Sequence, residues 1–407
     1  MVLATVVAMV LGAAATALAS SPGDGKDSPT KGTLGKSELG KNKEFSGLVD
    51  IGGGRKIYMT CQGSGSPTVV LVSGLGNAAD IWSVTADPKN GPPVFDEVAK
   101  FTRVCAYDRP GTIRVTDDKP SPSTPVEQPT SAKPAAADLD ALLGASGEPG
   151  PYVLVGHSFG GDIVRLYASA HPAEVGGLVL VDALSEALPN GLSPKQEALF
   201  EEINAAPPGS RREELDLPAT FRQLRGSPPA PTVPTVVLTA DRSQLPLTKE
   251  ELAKEQLPAG VNEEFANDLW DSQLAAQDKL AEKFPGAEHI TNTNSTHYIQ
   301  SYNPQLVSDS IRQVVDATRD DAKTHSRGTE GFGSATPSAI PSATPSATAT
   351  VGTTSSAGAG AAGAAQYQYA SALPASGGVS PILLLAVIPA ILLVGGVLLS
   401  ARVIRIS

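Results

Sequence analysis

Residues 152–170 read YVLVGHSFGGDIVRLYASA. The opening YVLV is a continuous apolar block, the pattern of a strand buried on both faces. From Phe159 onward the apolar residues return at helical spacing, with Ile163, Tyr167 and Ala170 on one face. A buried strand therefore meets a helix across Gly156-His157-Ser158-Phe159-Gly160. A GxSxG pentapeptide recurs by chance, but between strand and helix it predicts a sharp turn. That turn carries Ser158 to the C-terminal end of the strand, over a helix N-terminus whose dipole favours negative charge. The glycines follow from the same geometry, because a side chain at Gly156 or Gly160 would collide with neighbouring elements.

The pattern extends in both directions from this turn. Further β-branched runs fall at 55–61, 68–73, 103–107, 177–182, 235–239 and 288–291. Several, such as TVVLV and GLVLV, are again continuous apolar blocks, so the sheet is expected to be mostly parallel and covered by helices. Helical patterns at 136–143, 159–170 and 304–318 fall between and after them. Strand and helix in alternation give a doubly wound α/β domain, expected over 45–320. The alternation breaks at 183–231, a polar, proline-rich and partly helical stretch (SPKQEALFEEINAA at 193–206) that follows a strand ending at the active face. It reads as a short cap over the site.

The two ends of the 407-residue chain have a different composition. Residues 2–19 are apolar or small and close on Ala17-Leu18-Ala19, so 1–19 reads as a signal peptide. No Lys or Arg precedes Lys26, which leaves a true start upstream, or an uncleaved anchor, as the alternatives. Residues 20–44 are a Gly/Ser/Lys/Asp linker with little to bury. Residues 321–372, with repeating PSAT units, read as a disordered Ser/Thr/Pro/Ala stalk. Residues 373–407 hold LPASGG, an apolar run at 382–399 that approaches bilayer length, and a basic tail with Arg402 and Arg405.

A net charge of −11 disfavours nucleic acid as a partner. Two cysteines, Cys61 and Cys105, exclude a disulfide-dense scaffold and four-cysteine zinc sites. Neither a metal nor a cofactor is indicated.

A serine hydroxyl is a poor nucleophile and needs a base. Of five histidines, His157 lies inside the turn and is expected to point away from Ser158. His171 ends a helix, His289 lies within a strand, and His325 lies in the tail. His297, in NSTHYIQSYNP after the last strand, stands where the order Ser…acid…His requires it. Acyl transfer also needs donors for an oxyanion. The amide of Phe159, directly after the serine, is one candidate. The amide of Leu75, between Gly74 and Gly76 in TVVLVSGLGNAADIW, is the other.

VVLVSGLG, RVCAYDRPG, PYVLVGHSFGG, GLVLVDA and HYIQSYNPQLV, in that order, resemble the α/β-hydrolase superfamily over about 46–315. Two departures stand out: Ser73-Gly74 replaces the usual HG before the oxyanion residue, and RPGTIR replaces the commoner GxGxS turn. The resemblance implies an eight-stranded sheet, a Ser/acid/His triad and esterase-like chemistry on a small-molecule ester. An amidase or peptidase on the same triad, or a non-catalytic surface-displayed binding protein, are the alternatives. The family's acid commonly follows the strand that 235–239 represents, where Asp241 stands. In some members it follows the preceding strand, where Asp182 stands directly after GLVLV. Loop spacing favours Asp182, with Asp241 as the alternative acid. The second and fourth strands of this fold are neighbours, so Cys61 and Cys105 are expected to form a disulfide; two buried thiols are the alternative. The C-terminal segment resembles the sorting signal of wall-anchored Gram-positive proteins, with Ser376 where that signal usually carries Thr. This implies a sortase-type transpeptidase and the cell wall as partners, and an extracellular location. A plain membrane anchor is the alternative.

Overall fold

The apolar blocks become the interior strands of an eight-stranded sheet in the order β1-β2-β4-β3-β5-β6-β7-β8. The computed structural model describes residues 44–206, 210–253 and 257–330, side chains of 325–330 excepted. The expected leader, nearly all of the linker, the stalk beyond residue 330, and the sorting signal with its apolar run lie outside the described residues. Among the described residues no helix is long and apolar enough to cross a membrane.

The strands are β1 (Phe45–Gly52), β2 (Arg55–Gln62), β3 (Thr68–Val72), β4 (Val104–Asp108), β5 (Tyr152–His157), β6 (Val175–Val181), β7 (Thr235–Leu238) and β8 (Glu288–Ile290). β2 pairs antiparallel with β1 and β4, and from β4 onward every pairing is parallel. β3 shows why the central strands lack alternation. Val70 and Val72 enter one core layer with Leu139, Ile163 and Tyr167, while Val69 and Leu71 enter the opposite layer with Val98, Ile311 and Val314. Both faces are covered, so each strand position is apolar, and each such side chain contributes roughly 1.5–3 kcal/mol by leaving water.

The helices are α1 (Val94–Val98), α2 (Ala132–Ser146), α3 (Phe159–Ala170), α4 (Pro194–Asn204), α5 (Leu217–Arg225), α6 (Lys249–Leu252), α7 (Glu263–Ala281), α8 (Ile299–Tyr302) and α9 (Pro304–Glu330). Residues of α2 and α3 cover one face of the sheet, and residues of α1 and α9 cover the other.

Three features differ from the sequence expectation. β1 adds an antiparallel edge strand ahead of the first expected one. The cover of the site is larger than 183–231, because α7 also lines the cavity through Ala266, Leu269, Trp270 and Gln273. The stalk does not begin at 321, since α9 continues to Glu330. From Asp320 to Thr324 its side chains are exposed, and spaced charges such as Asp320 and Lys323, 2.8 Å apart one turn on, support it locally.

Cys61 and Cys105 are register partners on β2 and β4, both fully buried, and are joined by a disulfide.

Candidate active site

β5 ends at His157 and α3 starts at Phe159, so a single residue makes the reversal. That residue, Ser158, has φ 51° and ψ −124°, a left-handed backbone that a side-chain-bearing residue adopts only under constraint. The constraint is close packing. A Cβ at Gly160 would stand 2.2 Å from the Val72 carbonyl oxygen, and one at Gly156 would stand 2.6 Å from the Gly160 carbonyl oxygen. The Ser158 carbonyl accepts from Gly161 N–H (2.8 Å) and Leu184 N–H (3.0 Å), fixing the turn from both flanking segments. Ser158 Oγ makes no capping bond to α3 and lines the cavity.

His297 stands on the loop between β8 and α8. Its Nδ1 lies 2.6 Å from Asp182 Oδ2. Asp182 follows β6 directly, with φ 40°, and its other oxygen accepts the Ala240 N–H at 3.0 Å. With Nδ1–H donated to the carboxylate, Nε2 is left as the acceptor nitrogen. Ser158, Asp182 and His297 line one cavity of about 580 Å³. No hydrogen bond joins Ser158 to His297 among the described residues; such contacts commonly tighten only around bound substrate.

Asp241, the alternative acid, is engaged elsewhere. Its Oδ2 accepts the Asn294 N–H and its Oδ1 the Ser295 N–H, both at 2.8 Å. It shapes the loop that carries His297 without touching the imidazole. Its side chain is 32% exposed against 3% for Asp182, so only Asp182 offers a charge screened from water.

The amides expected to receive an oxyanion are held by a buried ion pair that spacing alone does not reveal. Arg109, following β4, donates to the Ser73 and Gly74 carbonyls, each at 2.7 Å. It also donates to both oxygens of Glu213, at 2.6 and 2.9 Å, and Glu213 Oε2 accepts the Gly76 N–H at 2.7 Å. The Leu75 peptide is therefore gripped on both sides. The Arg109 guanidinium also stands 5.3 Å from the centre of the Phe159 ring. Phe159 is the first residue of α3, so its N–H has no acceptor within the helix.

His157 was expected to point away from the serine, and its job was not foreseen. Its ring is fully buried with Nε2 3.0 Å from the His297 carbonyl oxygen, and the two rings are 4.6 Å apart. Burial, reinforced by the neighbouring His297, pushes its pKa well below the usual histidine range. A neutral His157 therefore donates Nε2–H to the backbone carbonyl of His297. The signal was present in the sequence, since a polar ring between strand and helix must find a partner.

His289 and His171 lie apart from the serine. His289 bonds Thr239 Oγ1 at 2.9 Å. His171 stacks on Tyr167 between Asp140 and Glu174. One ligand atom from each of Asp140, His171 and Glu174 lies within 4.8 Å of the others, in a partly exposed cluster away from the serine. Cys61, Cys105 and Glu148 also converge, but the sulfurs are consumed in the disulfide.

Residues 67–308 match the family described as alpha/beta hydrolase fold. An uncharacterized protein of Schizosaccharomyces pombe is 32% identical over 149 residues, which is 31% of this chain and 26% of that protein's length. The chain thus spans about a quarter of that curated relative. Among solved structures, a thermophilic esterase from Thermogutta terrifontis is 18% identical, covers 68% of this chain and 99% of its own, and has a TM-score of 0.43. The alpha/beta hydrolase domain-containing protein 10 from mouse is 15% identical, with coverage of 67% and 98% and a TM-score of 0.46.

Proposed function

Since the chain belongs to the alpha/beta hydrolase fold family, we propose that it is a serine hydrolase that cleaves carboxylic esters through an acyl-enzyme. The observation that carries the reading is the 2.6 Å contact of His297 Nδ1 with buried Asp182, in the cavity where the strained turn presents Ser158.

In this reading His297 Nε2 takes the Ser158 proton as Oγ attacks the ester carbonyl, and Asp182 stabilises the imidazolium that forms. The Leu75 and Phe159 amides receive the negative oxygen. Collapse of the tetrahedral intermediate breaks the bond to the alcohol oxygen, which leaves with the proton from His297. Water, deprotonated by the same imidazole, then attacks the acyl-serine and frees the acid.

Fluorophosphonate labelling tests it. The wild-type chain should be labelled at Ser158 and hydrolyse short aryl esters, and Ser158→Ala should lose both. A wild-type chain that does neither is a binding protein on this fold. Anilides cleaved as fast as the matching esters would make it an amidase.

The leader-like residues 1–19 and the LPASGG segment with its apolar run support an extracellular location, attached to the cell wall through Ser376 by a sortase-type transpeptidase. Fractionation tests this: release by wall digestion supports it, and release by detergent alone indicates a membrane anchor.

A further inference from the structure

Two cavities meet at Ser158, and their walls differ in charge. The larger, about 580 Å³, carries Arg114, Arg212 and Arg242. The smaller, about 370 Å³, carries Glu201, Glu202 and Glu214 and no cation. Leu75, Ser158, Leu184 and Phe200 line both, so the nucleophile stands at their junction. In a chain of net charge −11, a wall with three arginines runs against the overall balance.

The acids of the larger cavity do not cancel these cations. Asp182 is committed to His297 and Ala240 N–H, and Glu213 to Arg109 and Gly76 N–H. That leaves exposed Asp118. Among the arginines, Arg114 pairs with Asp117 at 3.3 Å, and Arg242 bonds the Asn294 carbonyl. Arg212 is half-buried and has neither a hydrogen bond nor an ion pair among the described residues. A guanidinium held partly out of water with unused donors is matched to a carboxylate or phosphate.

The position of His297 decides which arm of an ester goes where. His297 lines the larger cavity and not the smaller, whereas Phe159 lines the smaller and not the larger. The imidazole must protonate the departing alcohol oxygen, so the alcohol lies on the His297 side. The smaller chamber, bounded by Leu215, Leu217 and the glutamates, is left for the acyl chain. Resting on the serine-hydrolase reading above, we propose that the substrate is an ester of an anionic alcohol with an uncharged acyl chain, its anion paired with Arg212.

Four probes test this on the full chain: phenyl butyrate; meta-carboxyphenyl butyrate; meta-(butyryloxy)phenyl phosphate; and phenyl hemisuccinate, with the anion on the acyl arm. Meta placement keeps the leaving groups similar. One charge-assisted contact predicts that kcat/KM for at least one of the alcohol-side anions exceeds that of phenyl butyrate by about tenfold. Whichever does so identifies the anion. Phenyl hemisuccinate should fall below phenyl butyrate. Arg212→Gln should shrink the anionic-to-neutral ratio about tenfold, chiefly through KM, and Arg212→Lys should retain part of it. Equal rates for neutral and alcohol-side anionic esters, a preference for the hemisuccinate, or an unchanged ratio in Arg212→Gln would overturn the proposal. So would failure to turn over any of the probes in a chain that accepts fluorophosphonate. A chain that is not labelled at all overturns the underlying reading instead.

Discussion

Arg109 and Glu213 are joined by two side-chain hydrogen bonds, at 2.6 and 2.9 Å, with both groups almost wholly removed from water. Burial alone would push the Arg109 pKa down, but Glu213 foremost, with Tyr107 and Asp108, turns the shift upward, so the guanidinium stays charged. Between them Arg109 and Glu213 bind the Gly74 carbonyl, which shares its peptide group with the Leu75 N–H, and the N–H of Gly76 that follows. Glu213 belongs to the segment that covers the cavity. The ion pair thus ties the cover directly to the turn that carries the Leu75 amide.

Glu213→Gln is expected to lower kcat by about 10²-fold with a much smaller change in KM, the size seen when one oxyanion donor is lost. It should also cost about 3–5 kcal/mol of stability, because Arg109 is left buried without its counter-charge. Steady-state kinetics well below the melting temperature, beside denaturant titration, separates the two effects. A variant with lower stability and unchanged kcat would confine the pair to a folding role.

Asp182→Asn should cost roughly 10⁴ in turnover, since the amide would favour the wrong tautomer of His297. Asp241→Asn should cost far less, because its oxygens bind the Asn294 and Ser295 amides and an amide oxygen can still accept there. The kinetics of the two single variants, compared side by side, check this. A near-normal Asp182→Asn would exclude it as the orienting acid.

How much could be read beforehand follows the range of the forces involved. The turn at Ser158 was legible because strand, glycines and helix are neighbours in the chain. The central strands were legible because burial on both faces leaves a continuous apolar run, as in TVVLV. Glu213 was not, for it meets Arg109 across 104 positions of chain and no local pattern carries that distance. α7 could have been found, as Phe265, Leu269, Ala276 and Leu280 fall at helical spacing. The extent of α9 was not legible because apolar periodicity stops near Thr318, while the helix runs on to Glu330 through residues, Gly328 among them, whose own propensity does not call for it.

The Cys61–Cys105 bond joins directly opposed residues of β2 and β4 and closes a loop with a sequence separation of 44. Replacing both by Ser should lower stability by about 2–4 kcal/mol, chiefly by freeing the unfolded chain. Neither sulfur lines the cavity, so ester turnover at 25 °C should be unaffected. Thiol titration of denatured, unreduced protein should find no free thiol. Two titratable thiols in chain purified from an oxidising compartment would refute the bond.

His157 links stability to pH with a definite sign. It is buried among His297, Tyr298 and the Arg109 charge, and its folded pKa is depressed, first by burial and next by His297. In the unfolded chain the imidazole titrates near its ordinary value of about 6.5. Below that pH the unfolded state binds a proton that the folded state refuses, so the contribution present above pH 6.5 is lost as pH falls. The slope from one such group approaches about 1.4 kcal/mol per pH unit. His157→Gln keeps a donor for the His297 carbonyl and removes the titration, so its stability should fall less between pH 6.5 and 5 than that of the wild type. The remaining titratable groups are common to both proteins and largely cancel in the difference. Denaturant titrations at matched pH give the comparison directly. Parallel curves for the two proteins would mean that His157 takes up its proton without unfolding the chain, and the buried neutral donor assigned to it would have to be abandoned.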